Sequence, residues 1–258
     1  MTAGLDFPFL ACRAVFRAAG RIQFPPQAAN ALRGVLGFAL APELFRPVLR
    51  SGPSGLRNPP RPFVLHASHL DGAAVARRER FFIDLAVFQQ DAQPFRAALE
   101  SLGKFAAGPA ALEDFETRRN VVDLAPRESA PPRIRLRFLT PTELKGGAPE
   151  FALLMARLRD RISALRSFYG AGPPSIDFKG FLDAAREVRC LGGEMIQVAG
   201  SRRSSRTGQT HPLGGFTGYS DYEGDFRAYL PWLEAAEYTC VGRQTVWGHG
   251  RLIVEPLD

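Results

Sequence analysis

Lysine, cysteine and histidine are all scarce in this chain of 258 residues. The three cysteines, Cys12, Cys190 and Cys240, lie far apart and form no CxxC pair, which argues against a disulfide framework or a thiolate zinc site. No stretch approaches the ~20 uninterrupted apolar residues that span a bilayer. The N-terminus also has no basic leader followed by an apolar run and a small-residue cleavage site. We therefore expect a cytoplasmic protein with no membrane partner.

Nearly all of the basic residues are arginine. Only Lys104, Lys145 and Lys179 are lysines among 33 basic residues, and the net charge is +7 with a pI near 9.8. A basic chain favours acidic partners, nucleic acid first among them. Because a GC-rich coding sequence also enriches arginine, the placement of the arginines is more informative than their number.

The first half of the chain shows the element order β-α-β-β-α-β. Apolar residues at Leu32, Val35, Leu36 and Ala39 have the three- and four-residue spacing of an amphipathic helix. The predicted elements are a strand over 7–16, a helix over 28–49, strands over 63–65 and 80–88, a helix over 93–102 and a strand over 115–124.

The second half repeats this order. Residues 133–139 alternate basic and apolar side chains, as a half-buried strand does. Further elements are helices over 149–169 and 178–187, hairpin arms over 195–199 and 216–222, a helix over 225–236 and a strand over 246–254. The sequence therefore predicts an α+β fold of two tandem ferredoxin-like (RRM-like) βαββαβ modules with antiparallel sheets. We place the modules at 1–126 and 133–258, joined by a proline-rich linker at 127–132.

An arginine-rich hairpin tip lies at residues 201–211. It contains Arg202, Arg203 and Arg206, five hydroxyl side chains and His211, without a single acid. Arginine forks and hydroxyl groups are the usual donors to phosphate, so the tip has the composition of a phosphate-contacting finger. The alternative is a solvated loop.

A glycine-rich stretch runs from Cys240 to Glu255. Gly242, Gly248 and Gly250 fall within nine residues and permit positive φ and close backbone approach. Arg243 and Arg251 flank the turn and suit an anionic ligand. The alternative is a purely structural turn ahead of the last strand.

Motifs along most of the chain, taken in order, resemble the CRISPR repeat-processing endoribonucleases of the RAMP superfamily. The motifs are Leu32-Arg33-Gly34-x-Leu36-Gly37, Phe138-Leu139-Thr140-Pro141-Thr142-x-Leu144-Lys145, Arg157-x-Arg159-x-Arg161, Arg202-x-Ser204-x-Arg206, Gly214-Gly215-Phe216-x-Gly218, Tyr222-Glu223-Gly224-Asp225, Leu230-Pro231 and the run from Val241 to Arg251. The chain departs from the family pattern at Cys240, where a glycine belongs, and at His249, where an apolar residue belongs.

The resemblance implies an endoribonuclease that needs neither metal nor cofactor. Such an enzyme binds a CRISPR repeat stem-loop and cleaves precursor CRISPR RNA by 2′-hydroxyl attack, leaving a 2′,3′-cyclic phosphate. Subunits of a CRISPR effector complex are further partners that the resemblance implies. The RNA-binding positions implied are Arg33, Arg202, Arg203, Arg206, Gly242, Arg243, Gly248, His249, Gly250 and Arg251.

This chemistry needs a general base and a general acid, and histidine suits both roles because its pKa is near neutrality. Family members often place a catalytic histidine in or just after the first helix, and others have none and cleave slowly through positioning and cations. The predicted helix over 28–49 contains no histidine. His66 and His69 are therefore the first candidates, and His211 beside the arginine finger is the next. A His66-x-x-His69-x-Asp71 metal site lacks a supporting ligand cluster, so no metal site is expected.

Two other functions stay open at this point. A non-cleaving RNA-binding subunit of a CRISPR effector complex would have the same fold and the same glycine-rich loop. An unrelated tandem RRM-like RNA-binding protein is the third reading. Phe81 and Phe82 on a central strand suggest base stacking, but neighbouring residues face opposite sides of a sheet, so at least one belongs to the core. The core is the default reading for both.

Overall fold

Two four-stranded antiparallel sheets organise the chain. The structure is a computed structural model that describes residues 4–48, 59–101, 108–144, 149–203, 210–212 and 214–258. In this described part of the chain, no helix is both long enough and apolar enough to cross a bilayer.

The first module contains the first sheet. Its elements in chain order are β1 (Asp6–Ala18), β2 (Ile22–Gln23), α1 (Ala28–Ala39), α2 (Pro42–Phe45), β3 (Phe63–His66), β4 (Ala74–Val75), β5 (Arg80–Val87), α3 (Gln93–Glu100) and β6 (Ala110–Asp123), with a 3-10 turn at Ser68–Leu70. The strand order is β3-β5-β1-β6, and β2 pairs separately with β4. All neighbouring strands in the sheet are antiparallel.

The second module has the same topology. Its elements are β7 (Arg133–Thr142), α4 (Phe151–Tyr169), α5 (Phe178–Ala185), β8 (Arg189–Val198), β9 (Ser201–Arg203), β10 (Thr210–Pro212), β11 (Gly215–Glu223), α6 (Leu230–Thr239) and β12 (Leu252–Pro256), with a 3-10 turn at Thr245–Trp247. The strand order is β12-β7-β11-β8. The predicted pair of ferredoxin-like modules is therefore confirmed.

The alternation of side chains along β1 determines what each face of the first sheet contacts. Cys12, Ala14 and Phe16 point to one face and are buried beneath α1 and α3. Phe7 and Phe9 point to the other face and are buried among residues of the second module. The Phe9 and Tyr238 rings lie 4.6 Å apart. Because the two modules share this core, the boundary at 127–132 stays a prediction.

The core of the second module lies between its sheet and two helices. The apolar face predicted for α4 is confirmed, since Phe151, Leu154, Leu158, Ile162 and Leu165 are all buried. They pack in one cluster with Ile134, Leu136 and Phe138 of β7 and with Trp232 and Leu233 of α6. Each such side chain contributes about 1.5–3 kcal/mol through its burial.

Five predicted element bounds are wrong, and one of them is the hairpin arm predicted from residue 195, which begins at Arg189 as β8. The helix predicted over 28–49 ends at Ala39, because Pro42 begins a separate short helix and the intervening Leu40 is extended. The helix predicted over 225–236 starts at Leu230, with Pro231 in its first turn, where proline is favoured. The strand predicted from residue 115 begins at Ala110, and the one predicted from 246 begins only at Leu252.

Two glycines of α1 provide a matched test of how α1 packs against Phe45. A Cβ added at Gly34 would meet no atom within 4 Å, whereas one added at Gly37 would lie 2.6 Å from Cζ of Phe45. Gly34→Ala should raise the free energy of unfolding by about 0.5–1 kcal/mol, because glycine weakens a helix. Gly37→Ala should lower it by about 1–3 kcal/mol through overpacking. Urea denaturation measures both, and equal effects would contradict the contact between Phe45 and α1.

Candidate functional site

The glycine-rich stretch after α6 forms a tight loop that closes against β7. Gly242, Gly248 and Gly250 all have positive φ, at 86°, 72° and 80°. A Cβ at each position would overlap a backbone carbonyl oxygen of the protein itself, at Glu143, Leu65 and Val241 respectively. In the described structure, therefore, the close approach that these glycines permit is to protein backbone.

The loop also joins the two modules. Gly248 lies against the backbone of Leu65 in β3, one residue before His66. The Arg33 guanidinium of α1 lies 5.0 Å from the Trp247 ring and 4.9 Å from the Phe45 ring. Arg33 is only 9% exposed. The predicted RNA-binding position Arg33 is thus a buried cation between two aromatic rings, one of which belongs to the loop.

The side chains at the two positions that depart from the family pattern, Cys240 and His249, are both buried. Cys240 has φ 55° and ψ 168°, a conformation that favours glycine, and its thiol is fully buried. Burial raises the pKa of this thiol to about 12. His249 is also buried, and burial lowers the pKa of its ring. Neither side chain presents a reactive group on the surface of the loop.

The two arginines of the loop occupy different environments. Arg243 is exposed and donates to Glu143, with 2.8 Å between Nη1 and Oε1. Arg251 donates to Glu237 across 3.1 Å and faces inward. Arg251 therefore brings the loop's charge into the space between the modules.

A cleft of about 410 Å³ lies between the modules. Its lining residues come from the first sheet and from α6 and the loop, and they include Arg13, His66, Asp84, Glu237, Tyr238 and Arg251. His66 pairs with Asp84 in the β3–β5 ladder, and Arg13 pairs with Asp84 in the β5–β1 ladder. Two hydrogen bonds of 2.7 and 2.9 Å join Arg13 to the Asp84 carboxylate.

His66 is the buried titratable group of this cleft, with 8% of its surface exposed. Neither of its ring nitrogens has a hydrogen-bond partner of full geometry within the described ranges. Burial, and then the charge of Arg251, lower the pKa of His66 to about 4, although the Tyr238 backbone and Asp84 act in the opposite direction. The ring is therefore neutral at physiological pH.

The cleft continues into a groove along β6. An adjoining hollow of about 580 Å³ shares Arg118, Glu237 and Tyr238 with the cleft. A third hollow of about 570 Å³ shares Phe9 and Arg119 with the second. Arg118 and Arg119 are exposed, and neither forms an ion pair in the part of the chain that the structure describes. The result is a groove with free positive charge that leads to His66.

His69 lies apart from His66. Its Nε2 donates to the carbonyl of Phe82 across 3.0 Å, and its ring stacks on the Phe82 ring. Asp71 accepts a hydrogen bond from the backbone of Ala28. His66, His69 and Asp71 therefore do not converge, and within the described residues no three His, Cys, Asp or Glu side chains are placed to hold a metal ion.

The arginine-rich tip extends the hairpin of β8 and β11. His211 pairs with Arg202 and Thr210 pairs with Arg203 in the β9–β10 ladder. Arg206 lies outside the described residues. The described part of the tip is therefore a separate two-stranded antiparallel sheet between β8 and β11.

The sequence reasoning missed Arg13, Asp84, Arg118, Arg119 and Glu237. Arg13 and Asp84 had a readable signal, because each is a charged residue inside an otherwise apolar strand. Their common face follows only from the register of the sheet. Glu237 gave no signal, since it looks like any exposed residue of a helix.

Comparison with known proteins finds a matching family model and similar solved structures. Residues 136–252 match the family model of the CRISPR-associated endoribonuclease Cas6. A Cas6 of Thermus thermophilus is 17% identical with a TM-score of 0.58, and the match covers 97% of this chain and 99% of that one. A Cas6 product complex is 21% identical with a TM-score of 0.62, covering 96% and 99%. A partial Cas6-RT-Cas1–Cas2 complex is 12% identical with a TM-score of 0.64, covering 98% of this chain and 47% of that one.

These structural matches show a common fold over nearly the whole chain. None of the curated proteins compared with this chain matches it significantly.

The buried state of His66 predicts how stability depends on pH. The unfolded chain binds a proton at this residue near pH 6.5, whereas the folded chain resists it until about pH 4. Acid therefore favours unfolding in this window, and the free energy of unfolding should fall by up to about 3 kcal/mol from this group. His66→Leu should remove that part of the decline. Urea unfolding from pH 7.5 to 4.5 measures it, and parallel curves for the two proteins would contradict the prediction.

Proposed function

We propose that the chain is a member of the CRISPR-associated endoribonuclease family that its sequence resembles, and that it binds CRISPR repeat stem-loops and cleaves precursor CRISPR RNA. The match of residues 136–252 to the Cas6 family model supports this proposal. The cleavage proceeds by attack of a 2′-hydroxyl without a metal ion and leaves a 2′,3′-cyclic phosphate. One observation carries the proposal: His66 of the first module and Arg251 of the second face the same cleft at the end of an arginine-lined groove.

His66 supplies the general base. Its neutral ring accepts the 2′-hydroxyl proton as the 2′ oxygen bonds to phosphorus and the bond to the 5′ oxygen breaks. The 5′ oxygen takes a proton from solvent, since no second histidine lines the cleft among the described residues. A bound phosphate raises the proton affinity of His66 because it places negative charge beside the ring.

Arg251 stabilises the negative charge that develops on phosphorus. Its inward position next to His66 is fixed by Glu237 and by a backbone hydrogen bond to the Thr140 hydroxyl, at 2.9 Å. A cation held in advance of the reaction stabilises this charge better than one that must reorganise. Arg13 is held equally firmly by Asp84 and provides a second positive charge.

The RNA backbone follows the groove. Arg118 and Arg119 contact phosphates of a single strand there, and Arg202, Arg203 and Arg206 of the hairpin tip contact the stem. Arg243 is the exposed arginine of the glycine-rich loop and faces RNA outside the cleft. Other CRISPR proteins are partners by analogy with the Cas6-RT-Cas1–Cas2 complex.

A non-cleaving RNA-binding subunit is the second candidate function. The separation of the histidines favours it, because His69 stacks on Phe82 away from the cleft while His66 is nearly covered. In that case the same groove would bind RNA without assembling an acid and a base. The experiment below separates the two functions.

Cleavage of a repeat RNA in EDTA tests the proposal directly. The substrate is the repeat of the CRISPR array nearest to the gene, prepared with and without a 2′-deoxy substitution at the cleavage position. We expect cleavage of the unmodified RNA only, with a 2′,3′-cyclic phosphate end detected by mass spectrometry. Cleavage of the deoxy RNA contradicts 2′-hydroxyl attack. Tight binding without cleavage of either RNA supports the non-cleaving subunit.

Single substitutions then assign the base. His66→Asn should lower the cleavage rate by about 10²–10⁴-fold with little change in RNA affinity, because it removes the proton acceptor and preserves polarity. His69→Asn and His211→Asn are the comparison variants, and a loss of rate at saturating RNA confined to either would move the base to that residue. Full activity in all three would show that none of the histidines is the base.

The pH dependence of cleavage provides an independent test. Because His66 remains neutral down to about pH 4, kcat/KM should stay level from pH 8 to about 5 and fall only below that. Short assays with folding checked by circular dichroism keep acid unfolding out of the measurement. A midpoint near pH 6.5 would indicate a base with an ordinary histidine pKa instead.

A further inference from the structure

The first sheet has a face that the second module covers only at one end. Beyond Phe7 and Phe9, this face shows Arg13, Val15 and Arg17 of β1. In the ladder they pair with residues of β5 that share the face, which are Asp84, Phe82 and Arg80. None of these six side chains is buried. Phe82 therefore differs from its neighbour Phe81, which lies in the core, and the default reading of both as core is wrong for Phe82.

Three planar groups stack on this open face. The His69 and Phe82 rings are 4.3 Å apart and tilted by only 19°. The Arg13 guanidinium lies 4.2 Å from the centre of the Phe82 ring. His69 is exposed, its Nε2 is fixed on the Phe82 carbonyl, and Arg13 is fixed by Asp84. The stack is thus rigid in advance, so that a ligand would lose little entropy in ordering it.

Charges of both signs surround the stack, because Glu116 and Asp114 of β6 lie opposite Arg13 and Val15 in the ladder. A single carboxylate, Glu113, accepts hydrogen bonds from both Arg17 and Arg80, so this pair of arginines keeps a net positive charge. Arg77 and Arg78 on the turn before β5 are exposed as well. The feature that suits a nucleic-acid base is therefore the stack of flat groups, with arginines beside it that can contact phosphate.

The stack is also continuous with the cleft. Asp84 and Arg13 line the cleft beside His66, and Arg13 contacts Phe82 on the other side. His69 follows His66 by three residues across the short turn. A strand bound with its phosphate at His66 would pass its next unpaired base over this face.

We propose that the stack of His69, Phe82 and Arg13 is a subsite for one unpaired RNA base next to the cleavage position. This inference rests on the proposed function and adds to it the part of the RNA that this face recognises. Bases stack on aromatic rings and guanidinium planes with little sequence preference. The subsite therefore selects RNA with a single-stranded flank over a bare stem-loop.

Binding of two RNAs tests the subsite: a repeat stem-loop with its single-stranded flanks, and the same stem-loop trimmed of them. Both carry a 2′-deoxy substitution at the cleavage position, so catalysis does not interfere. His69→Gln keeps a donor for the Phe82 carbonyl but removes the ring, and should weaken the flanked RNA by about tenfold and leave the trimmed RNA unchanged. Phe82→Leu should do the same. His69→Phe keeps a ring and should stay within about twofold of wild type.

Phe178→Leu is the matched control, because Phe178 is an exposed phenylalanine with Arg159 over its ring at 5.3 Å but lies on α5 of the other module. It should leave both affinities unchanged. Wild-type affinity of His69→Gln and Phe82→Leu for the flanked RNA would overturn the subsite alone. A wild-type protein that binds neither RNA would overturn the proposed function together with the subsite. A defect equal for both RNAs would also overturn the subsite, since it does not depend on the unpaired flank.

Discussion

The contact of Gly248 with the Leu65 carbonyl is the constraint on which the candidate site depends. No other residue fits there, because a Cβ would overlap the carbonyl oxygen and φ is positive. The contact fixes the glycine-rich loop on β3, and Trp247 then meets Arg33 while Arg251 enters the cleft. Through this loop, Arg251 of the second module lines the same cleft as His66 of the first.

The second organising feature is the outer face of β1. At one end this face is core, with Phe9 against Tyr238, and at the other it is open sheet with Arg13 and Arg17. The cleft lies where the strand changes from one environment to the other. A group at this boundary is buried enough to have a shifted pKa and still borders a groove, as His66 does.

Much of the fold could be predicted from the sequence, because the local spacing of apolar residues indicates the βαββαβ order. The apolar face of α4 and the alternation of β7 were sufficient to place the second sheet and its helix. The site was less accessible, since it depends on which faces two sheets turn toward each other. His66 was a candidate only by its closeness to the first helix, and Arg13 and Asp84 were not among the candidates.

The glycine-rich loop shows the limit most clearly. Its composition indicates that the backbone comes close to another group, but it does not identify that group. In the structure, Gly242 and Gly250 lie against backbone carbonyls of the chain itself. Likewise, alternation along the strand requires that at least one of Phe81 and Phe82 lies in the core. Only the β1–β5 register shows that Phe82 is the one that faces outward.

The buried thiol at Cys240 has a practical consequence for work in solution. Burial raises the pKa of Cys12 to about 11 and that of Cys240 to about 12, whereas Cys190 is exposed on the edge strand β8. Thiolates, not thiols, react with maleimides and iodoacetamides, so these reagents select one of the three cysteines. The natural chain thus offers a single attachment point for a fluorophore, on the strand that leads into the arginine-rich tip.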